Sequence, residues 1–192
     1  SRFYQTYSFS FSEPWLGGKR PVQFSTSLSH TKQFLYNPQT RNADKSRSFN
    51  ITGITLGLAK RLSVPDDYFT LSQAISYQRY DLKNYNTGLF TFGDGFSNNL
   101  SYTFGLTRNN TSVDPIFPTG GSNFGVTAKF SLPYSLFNGV DYGKLAQERE
   151  GLVEFLLENQ TDVDTQNRIA AIDQERFKWL EYYKIKFEGT WY

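Results

Sequence analysis

The chain lacks several residue types on which common classes of functional site depend. Its 192 residues include no cysteine, no methionine and a single histidine. Disulfides and thiolate metal sites are therefore excluded, as are a Cys–His catalytic pair and a site built from several histidines. The formal net charge of +2 is too small to indicate nucleic acid as a partner. No apolar run approaches the roughly 20 residues that a membrane-spanning helix requires.

Alternation of side chains is the dominant pattern that remains. Tyr7, Phe9 and Phe11 alternate with serines, so a period of two places the three aromatic rings on one face of a strand. Similar alternation predicts strands at about 4–14, 21–33, 48–62, 67–84, 97–108, 122–133 and 182–192. The second face of these strands is small and polar and lacks the aliphatic residues of a sandwich core. The pattern therefore predicts an antiparallel up-and-down transmembrane β-barrel segment, in an all-β fold.

The alternation assigns residues to lipid and to lumen. The lipid-facing residues are predicted to be Tyr7, Phe9, Phe11, Phe104, Phe130, Phe187 and Trp191. The lumen-facing residues are predicted to be Lys129, Lys184, Lys186 and Glu188, since a lysine on the lipid face near the midplane costs about 2–4 kcal/mol. One strand changes phase, with Phe49 and Ile51 at odd positions and an even series from Ile54 onward. A bulge near Gly53, or a strand end that projects beyond the bilayer, explains the change.

Connection lengths predict the orientation of the strands. Short turns follow the first, third and fifth strands, and longer segments are expected at 34–47, 85–96 and 134–181. In an up-and-down outer-membrane barrel, short turns face the periplasm and long loops face outward. Segment 134–181 is charged and periodic at helical spacing, so we expect an extracellular insertion with helices at 144–158 and 165–180. Asp162 or Asp164 is expected to cap the second helix. The insertion is expected to be a solvated lid or a docking surface for a partner subunit.

Seven strands are too few to close a barrel, since single-chain bacterial barrels have an even number of strands and begin at about eight. We therefore expect residues 1–192 to be a partial transmembrane β-barrel domain, with residues 134–181 as its helical extracellular loop. The first residues do not resemble a signal peptide, which suggests a mature or truncated start.

Two turn motifs carry a resemblance to a known family. The strand that ends in Glu13, Pro14, Trp15, Leu16, Gly17 and Gly18 resembles one that ends in an (Asn or Glu)-Pro-(Trp or Tyr) turn in BamA-type proteins. A later turn is similar to the family's Phe-Pro-Thr-x-Gly turn; it contains Pro115, Phe117, Pro118, Thr119 and Gly120. On residues alone these motifs are rigid turns, in which proline fixes φ and glycine supplies positive φ. The resemblance implies strands four to ten of a sixteen-stranded barrel.

The resemblance implies a function that the residues alone do not assign. BamA-type proteins insert and fold β-barrel precursors in the bacterial outer membrane, without a cofactor or enzymatic chemistry. The partners implied are the lipid bilayer, unfolded outer-membrane protein clients and accessory subunits of an assembly complex. The family's POTRA domains and Arg-Gly-Phe loop are absent from these residues, and its lateral seam would lie outside them. The alternative is a transport or secretion pore of the same barrel class, with the lumen-facing charges along its conduit.

Overall fold

The computed structural model describes residues 3–18, 22–111, 120–158 and 162–192. Within these ranges the chain forms a meander of strands with a helical hairpin before the last strand. The strands are β1 (Tyr4–Glu13), β2 (Val22–Asn37), β3 (Asn42–Arg61), β4 (Phe69–Lys83), β5 (Gly95–Asn109), β6 (Ser122–Ser131) and β7 (Tyr183–Trp191). The helices are α1 (Tyr142–Glu158) and α2 (Val163–Phe177), and single 3-10 turns occupy Leu16–Gly18 and Tyr134–Leu136. The predicted all-β, up-and-down fold with a helical insertion is confirmed.

The strands pair antiparallel in chain order, β1 to β7, and form an open sheet. We call the end with the β1–β2, β3–β4 and β5–β6 connections the turn end. The opposite end, which carries α1 and α2, is the helix end. The register is continuous across β3 and β4 and fixes which residues share a face. The apolar face is the one that carries Phe9, Leu28, Ile54, Tyr77 and Leu100, which are paired in series across five strands.

The polar face lies on the opposite side of the same strands. One row across it consists only of hydroxyl residues, in the paired order Ser10, Ser27, Thr55, Ser76, Ser101 and Ser131. The Thr55 and Ser76 hydroxyls are 3.0 Å apart and bond to each other across β3 and β4. Alternation along each strand thus separates the apolar side chains of one face from the hydroxyl side chains of the other, as the sequence predicts.

The predicted long segment at 34–47 is wrong. The β2 and β3 strands continue toward each other and leave only residues 38–41 as a turn. The carboxamide oxygen of Asn37 accepts the backbone N–H groups of Gln39 and Thr40, which stabilises this tight turn. A register shift between Phe34 and Leu35 re-aligns the two strands before the turn.

Of the two explanations for the phase change in β3, the bulge near Gly53 is wrong, and the strand end that projects beyond the bilayer stays a prediction. From Ser48 to Arg61, β3 pairs with β4 without interruption, so Phe49 and Ile51 do lie on the polar face. They are apolar because this end of the polar face is covered. Phe49, Leu82, Tyr85, Phe90 and Phe92 form a buried hydrophobic cluster there, and Phe177 packs against it.

The two helices form the expected hairpin, with small differences in length. The first begins two residues before the predicted start, at Tyr142, and the second ends at Phe177 rather than at 180. Asp162 occupies the N-cap position of α2, but its side chain makes no capping bond to the backbone of the described residues. It accepts the hydroxyl of Thr165 instead, at 2.5 Å. None of the helices in the described residues is long and apolar enough to cross a membrane.

Candidate functional surfaces: two faces of the sheet and a cap

All the residues predicted to face lipid lie on the apolar face and are exposed in the structure. They are Tyr7, Phe9, Phe11, Phe104, Phe130, Phe187 and Trp191. Their sharing of one face follows from the register, while their contact with lipid stays a prediction. Gln73 lies among them, and its side-chain oxygen accepts the Tyr102 hydroxyl at 2.8 Å. This bond satisfies two polar groups within an otherwise apolar surface.

The apolar face is limited at both ends by charged or polar residues. On β4, apolar character extends from Phe69 to Tyr77, and Arg79 and Asp81 follow as an ion pair at 3.0 Å. At about 3.4 Å per residue, the apolar stretch is roughly 27 Å along the strand, and less in height where the strand is tilted. Lys60 and Arg108 limit the same face at the turn end. A strip of this kind has nearly the height of the apolar band of an outer-membrane barrel, about 25 Å.

The residues predicted to face the lumen lie together on the polar face. Lys129 pairs with Lys184 across β6 and β7, and Lys186 and Glu188 follow on β7. The Lys186 ammonium group lies 2.5 Å from a Glu188 carboxylate oxygen. The ammonium group of Lys129 lies 5.8 Å from the centre of the Tyr182 ring. The structure therefore brings these charges to one face, and their position in a lumen remains a prediction.

The polar face packs closely in its central region because several positions carry glycine. A Cβ atom on Gly57 would lie 2.6 Å from the Ser25 hydroxyl oxygen, and one on Gly105 would lie 2.5 Å from that of Ser72. Small residues on this side allow neighbouring strands to curve toward it. Among the described residues, the helices pack at the helix end and leave this hydroxyl-lined, turn-end half uncovered.

A cap covers the helix end of the polar face. We define it as residues 84–94 together with residues 174–180 at the end of α2. Phe92 is 4% exposed, and its ring lies 5.2 Å from that of Phe90. Both rings contact Phe177, at 6.2 and 6.3 Å between centroids. These contacts join the loop, the helix and the strands in one aromatic core.

The end of α2 is attached to a free stretch of strand edge. Since β6 pairs only with residues 101–109 of β5, the edge from Gly95 to Leu100 has no β6 partner. The segment after α2 fills this gap, with Asn98 N–H donating to Lys178 O at 2.8 Å and Leu180 N–H donating to Asn98 O at 2.9 Å. Gln174 adds a two-way bond to the Phe96 backbone, at 2.9 and 2.6 Å. These bonds fix the cap on β5.

Gly95 makes this attachment possible. Its φ is +138°, and a Cβ atom there would lie 1.5 Å from the Gln174 side-chain oxygen. Any other residue would be strained and would displace Gln174. The sequence does mark this loop as unusual, because Asp94 stands between two glycines and several phenylalanines lie nearby. Alternation alone could not predict which residues the loop contacts.

The helical hairpin is held by ion pairs between its helices. Arg149 of α1 bonds to both carboxylate oxygens of Asp173 in α2, at 2.7 and 3.2 Å. Asp173 is 3% exposed, and its hydrogen bond raises the pKa of the Arg149 guanidinium above the usual value. Arg168 bonds to Glu148 in a second, more exposed pair.

The hairpin also contacts the segment that leaves β6. Tyr134 stacks on Trp179 at 4.4 Å between centroids, and Ser135 bonds to Glu181. Burial, and then the nearby Glu181 carboxylate, raises the pKa of the Tyr134 phenol. The insertion is therefore joined to the sheet at β5 and beside β6.

The first family turn has the geometry expected of it. Glu13 accepts the Trp15 N–H at 3.3 Å, and Gly17 and Gly18 adopt φ values of 62° and 73°. In the second turn, Pro115, Phe117, Pro118 and Thr119 lie outside the described residues, and Gly120 is the first described position after them. The base of that turn is closed by Asn110, which accepts the Ser122 N–H at 2.8 Å.

Comparison with solved structures gives a match to BamA from Haemophilus ducreyi lacking POTRA domains 1–3, a crystal structure. The identity is 17% and the TM-score 0.44, over 68% of this chain and 26% of that one. The chain thus spans about a quarter of the length of the protein it matches. No curated protein matches the sequence significantly.

A family model gives the assignment. The Omp85 superfamily domain matches residues 1–192. Omp85 proteins are a class of outer-membrane proteins that insert or transport proteins. The predicted resemblance is confirmed at the level of this family, and the open, two-faced sheet agrees with a sector of such a barrel. The chain belongs to the Omp85 superfamily.

Proposed function

We propose that this chain forms part of the barrel of an outer-membrane assembly factor, which inserts and folds β-barrel precursors in the bacterial outer membrane. In this proposal residues 1–192 are a partial transmembrane barrel domain and residues 134–181 its extracellular insertion. The apolar face contacts lipid, and the polar face lines the lumen. The Omp85 match over residues 1–192 supports the class of function.

The cap favours assembly over a transport or secretion pore. Phe90, Phe92 and Phe177 fill the polar face at the helix end. A wide aqueous conduit needs a lumen lined by polar side chains and open at both ends. In the sector that the structure describes, the helix end of the polar face is instead covered by a packed aromatic core. This is the observation that carries the preference.

The work of such a factor is non-covalent. An exposed strand edge templates a client strand through backbone hydrogen bonds, and pockets for alternate side chains select it. A short apolar band thins the nearby bilayer, because a mismatch of a few ångströms deforms lipid at modest cost. Unfolded outer-membrane proteins would be the clients, and accessory subunits of an assembly complex the other partners.

Depletion of the full-length protein tests this function. We expect many unrelated outer-membrane barrels to decrease together in the membrane proteome, while their precursors accumulate in the periplasm. Mass spectrometry of both fractions measures the two effects. If the other barrels persist and the transport of only one solute or exported protein is affected, the protein is a transport or secretion pore and not an assembly factor.

A further inference from the structure

The turn end of the sheet carries exposed apolar side chains. Trp15, Leu16, Val64 and Tyr68 all lie in its turns and are exposed, Val64 by 77%. Tryptophan and tyrosine concentrate at the headgroup level of a bilayer, where their rings are apolar and their N–H or O–H groups remain hydrated. In the proposed barrel, these turns therefore lie at the surface of one leaflet.

A cavity of about 370 Å³ opens among these turns, between β3 and β4. It is lined by Lys60, Arg61, Leu62, Ser63, Val64 and Asp67. Lys60 follows Leu58 on the apolar face and pairs with Leu71 of β4. The cavity thus adjoins the edge of the apolar face, at the depth where lipid headgroups would lie.

The cations of this cavity differ from the arginine beside them. Arg108 is bound by Asp66, with two nitrogens at 2.9 Å from one carboxylate oxygen. Its guanidinium also lies within 6.0 Å of the ring centres of Tyr68, Phe69 and Phe124. Arg108 is thereby neutralised.

Lys60 and Arg61 have no such neutralising partner. No carboxylate oxygen lies within 4.0 Å of either cation among the described residues. Within the part of the chain that the structure describes, Arg61 donates to the backbone oxygen of Asp67 and to no other acceptor. Lys60 and Arg61 lie on opposite faces of β3, but both line the cavity at the end of the strand, together with Asp67, so two basic residues and one acidic residue meet there. Such a site attracts an anion that also tolerates an apolar neighbour.

We propose that this cavity binds the headgroup of an anionic phospholipid from the leaflet that the turns face. The Lys60 ammonium and the Arg61 guanidinium contact the phosphate, and the Ser63 hydroxyl donates to it. Leu62 and Val64 cover the glycerol and the first acyl carbons. The site rests on the proposed membrane barrel, and it adds a lipid ligand that anchors the β3–β4 turn.

Lipid titration of the detergent-solubilised full-length protein tests the site. Phosphatidylglycerol, or phosphatidylcholine as the zwitterionic comparison, is added, and bound lipid is counted by native mass spectrometry. We expect selective retention of phosphatidylglycerol by the unmodified protein. The double variant Lys60→Gln/Arg61→Gln should bind it roughly 10- to 30-fold more weakly.

Two further variants make the result specific. Lys60→Arg/Arg61→Lys keeps both charges and should retain the lipid. Lys144→Gln removes an exposed lysine of α1 and should also leave binding unchanged. Circular dichroism and the thermal midpoint verify that each variant is folded. Equal retention of phosphatidylglycerol by the unmodified protein and the double variant would overturn the lipid site and leave the barrel intact. An unmodified protein that retains neither lipid would likewise overturn the lipid site and leave the barrel intact, since detergent can cover the apolar face.

Discussion

The two halves of the polar face are built from the same strands but differ in what covers them. At the turn end, Thr55, Gly57 and Ser76 leave the face small, polar and open. At the helix end, Phe49 and Leu82 lie on that same face beneath the cap. The strand register does not change between the halves. Whether a position on this face carries an apolar or a polar side chain therefore depends on what covers the sheet at that level, and not only on the alternation along the strand.

This difference also separates two kinds of stability. The stability of the open half comes from backbone pairing and from the medium around the sheet. The capped half is stabilised in addition by its own hydrophobic core. A substitution in the cap should therefore act locally and strongly. A substitution of similar size in the open half should act weakly.

The largest effect is expected for Phe92→Ala. Removing a buried aromatic ring costs about 3–5 kcal/mol, and here it takes away contacts with Phe90 and Phe177. Hydrogen exchange of the full-length protein should show lost protection in residues 84–94 and 174–180. Phe9→Ala, an exposed position on the apolar face, is the matched control and should leave the cap protected. A cap that exchanges equally slowly in both variants would show that the aromatic cluster does not hold it.

Arg149→Gln should be the next in size. It leaves the Asp173 carboxylate buried, with Arg176 at 4.0 Å as its one remaining cation among the described residues, and we expect a loss of about 2–3 kcal/mol. The change should appear as faster exchange in both helices. Arg168→Gln removes the more exposed pair with Glu148 and should cost below about 1 kcal/mol. Equal effects of the two substitutions would mean that the burial of Asp173 contributes nothing.

Gly95→Ala should release the end of α2 from β5. The new methyl group would collide with Gln174 at a backbone φ of +138°, and we expect a cost of about 1–3 kcal/mol. Exchange at the Phe96 and Asn98 amides measures it. Gly88→Ala separates strain from collision, since Gly88 also has positive φ but nothing within 4 Å of its Cβ position. If Gly88→Ala opens the cap as much, the collision with Gln174 is not the cause.

Gly57→Ala should have the smallest effect, although its Cβ would lie 2.6 Å from the Ser25 hydroxyl. That hydroxyl is the end of a side chain in the open half and can rotate away, so we expect a cost below about 1 kcal/mol. The thermal midpoint of the full-length protein checks this. A loss as large as that of Gly95→Ala would contradict the contrast between the halves.

The sequence predicted most of the strands because alternation is a local property. All the residues assigned to lipid share one face, and Lys129, Lys184, Lys186 and Glu188 share the other. Alternation could not predict the cap, because Phe90, Phe92 and Gln174 form it through contacts with residues far away in the sequence. The phase change at Phe49 and Ile51 was the one visible trace of that covering, and a local bulge was the wrong explanation for it.

The β2–β3 turn was missed for a related reason. Residues 34–47 begin with Phe34, Leu35 and Tyr36 in a row and continue with mostly polar residues, so alternation does not mark them as strand. They are nonetheless paired, since Leu35 and Tyr36 meet Asp44 and Ala43 after the register shift. Backbone pairing extends the ladder there, and Leu35 packs against the hydrophobic cluster at the helix end.

Single cysteine substitutions test the two-faced, capped sheet most directly, because residues 1–192 contain no cysteine of their own. Leu56, Thr55 and Phe49 lie on β3, on the apolar face, the open half of the polar face and the capped half, respectively. Each position is labelled with a fluorophore in the full-length protein in vesicles, with any cysteine elsewhere replaced. We predict quenching by a lipid-soluble quencher at position 56, by a water-soluble quencher at 55, and by neither at 49. Equal access of the water-soluble quencher to all three positions would contradict the account.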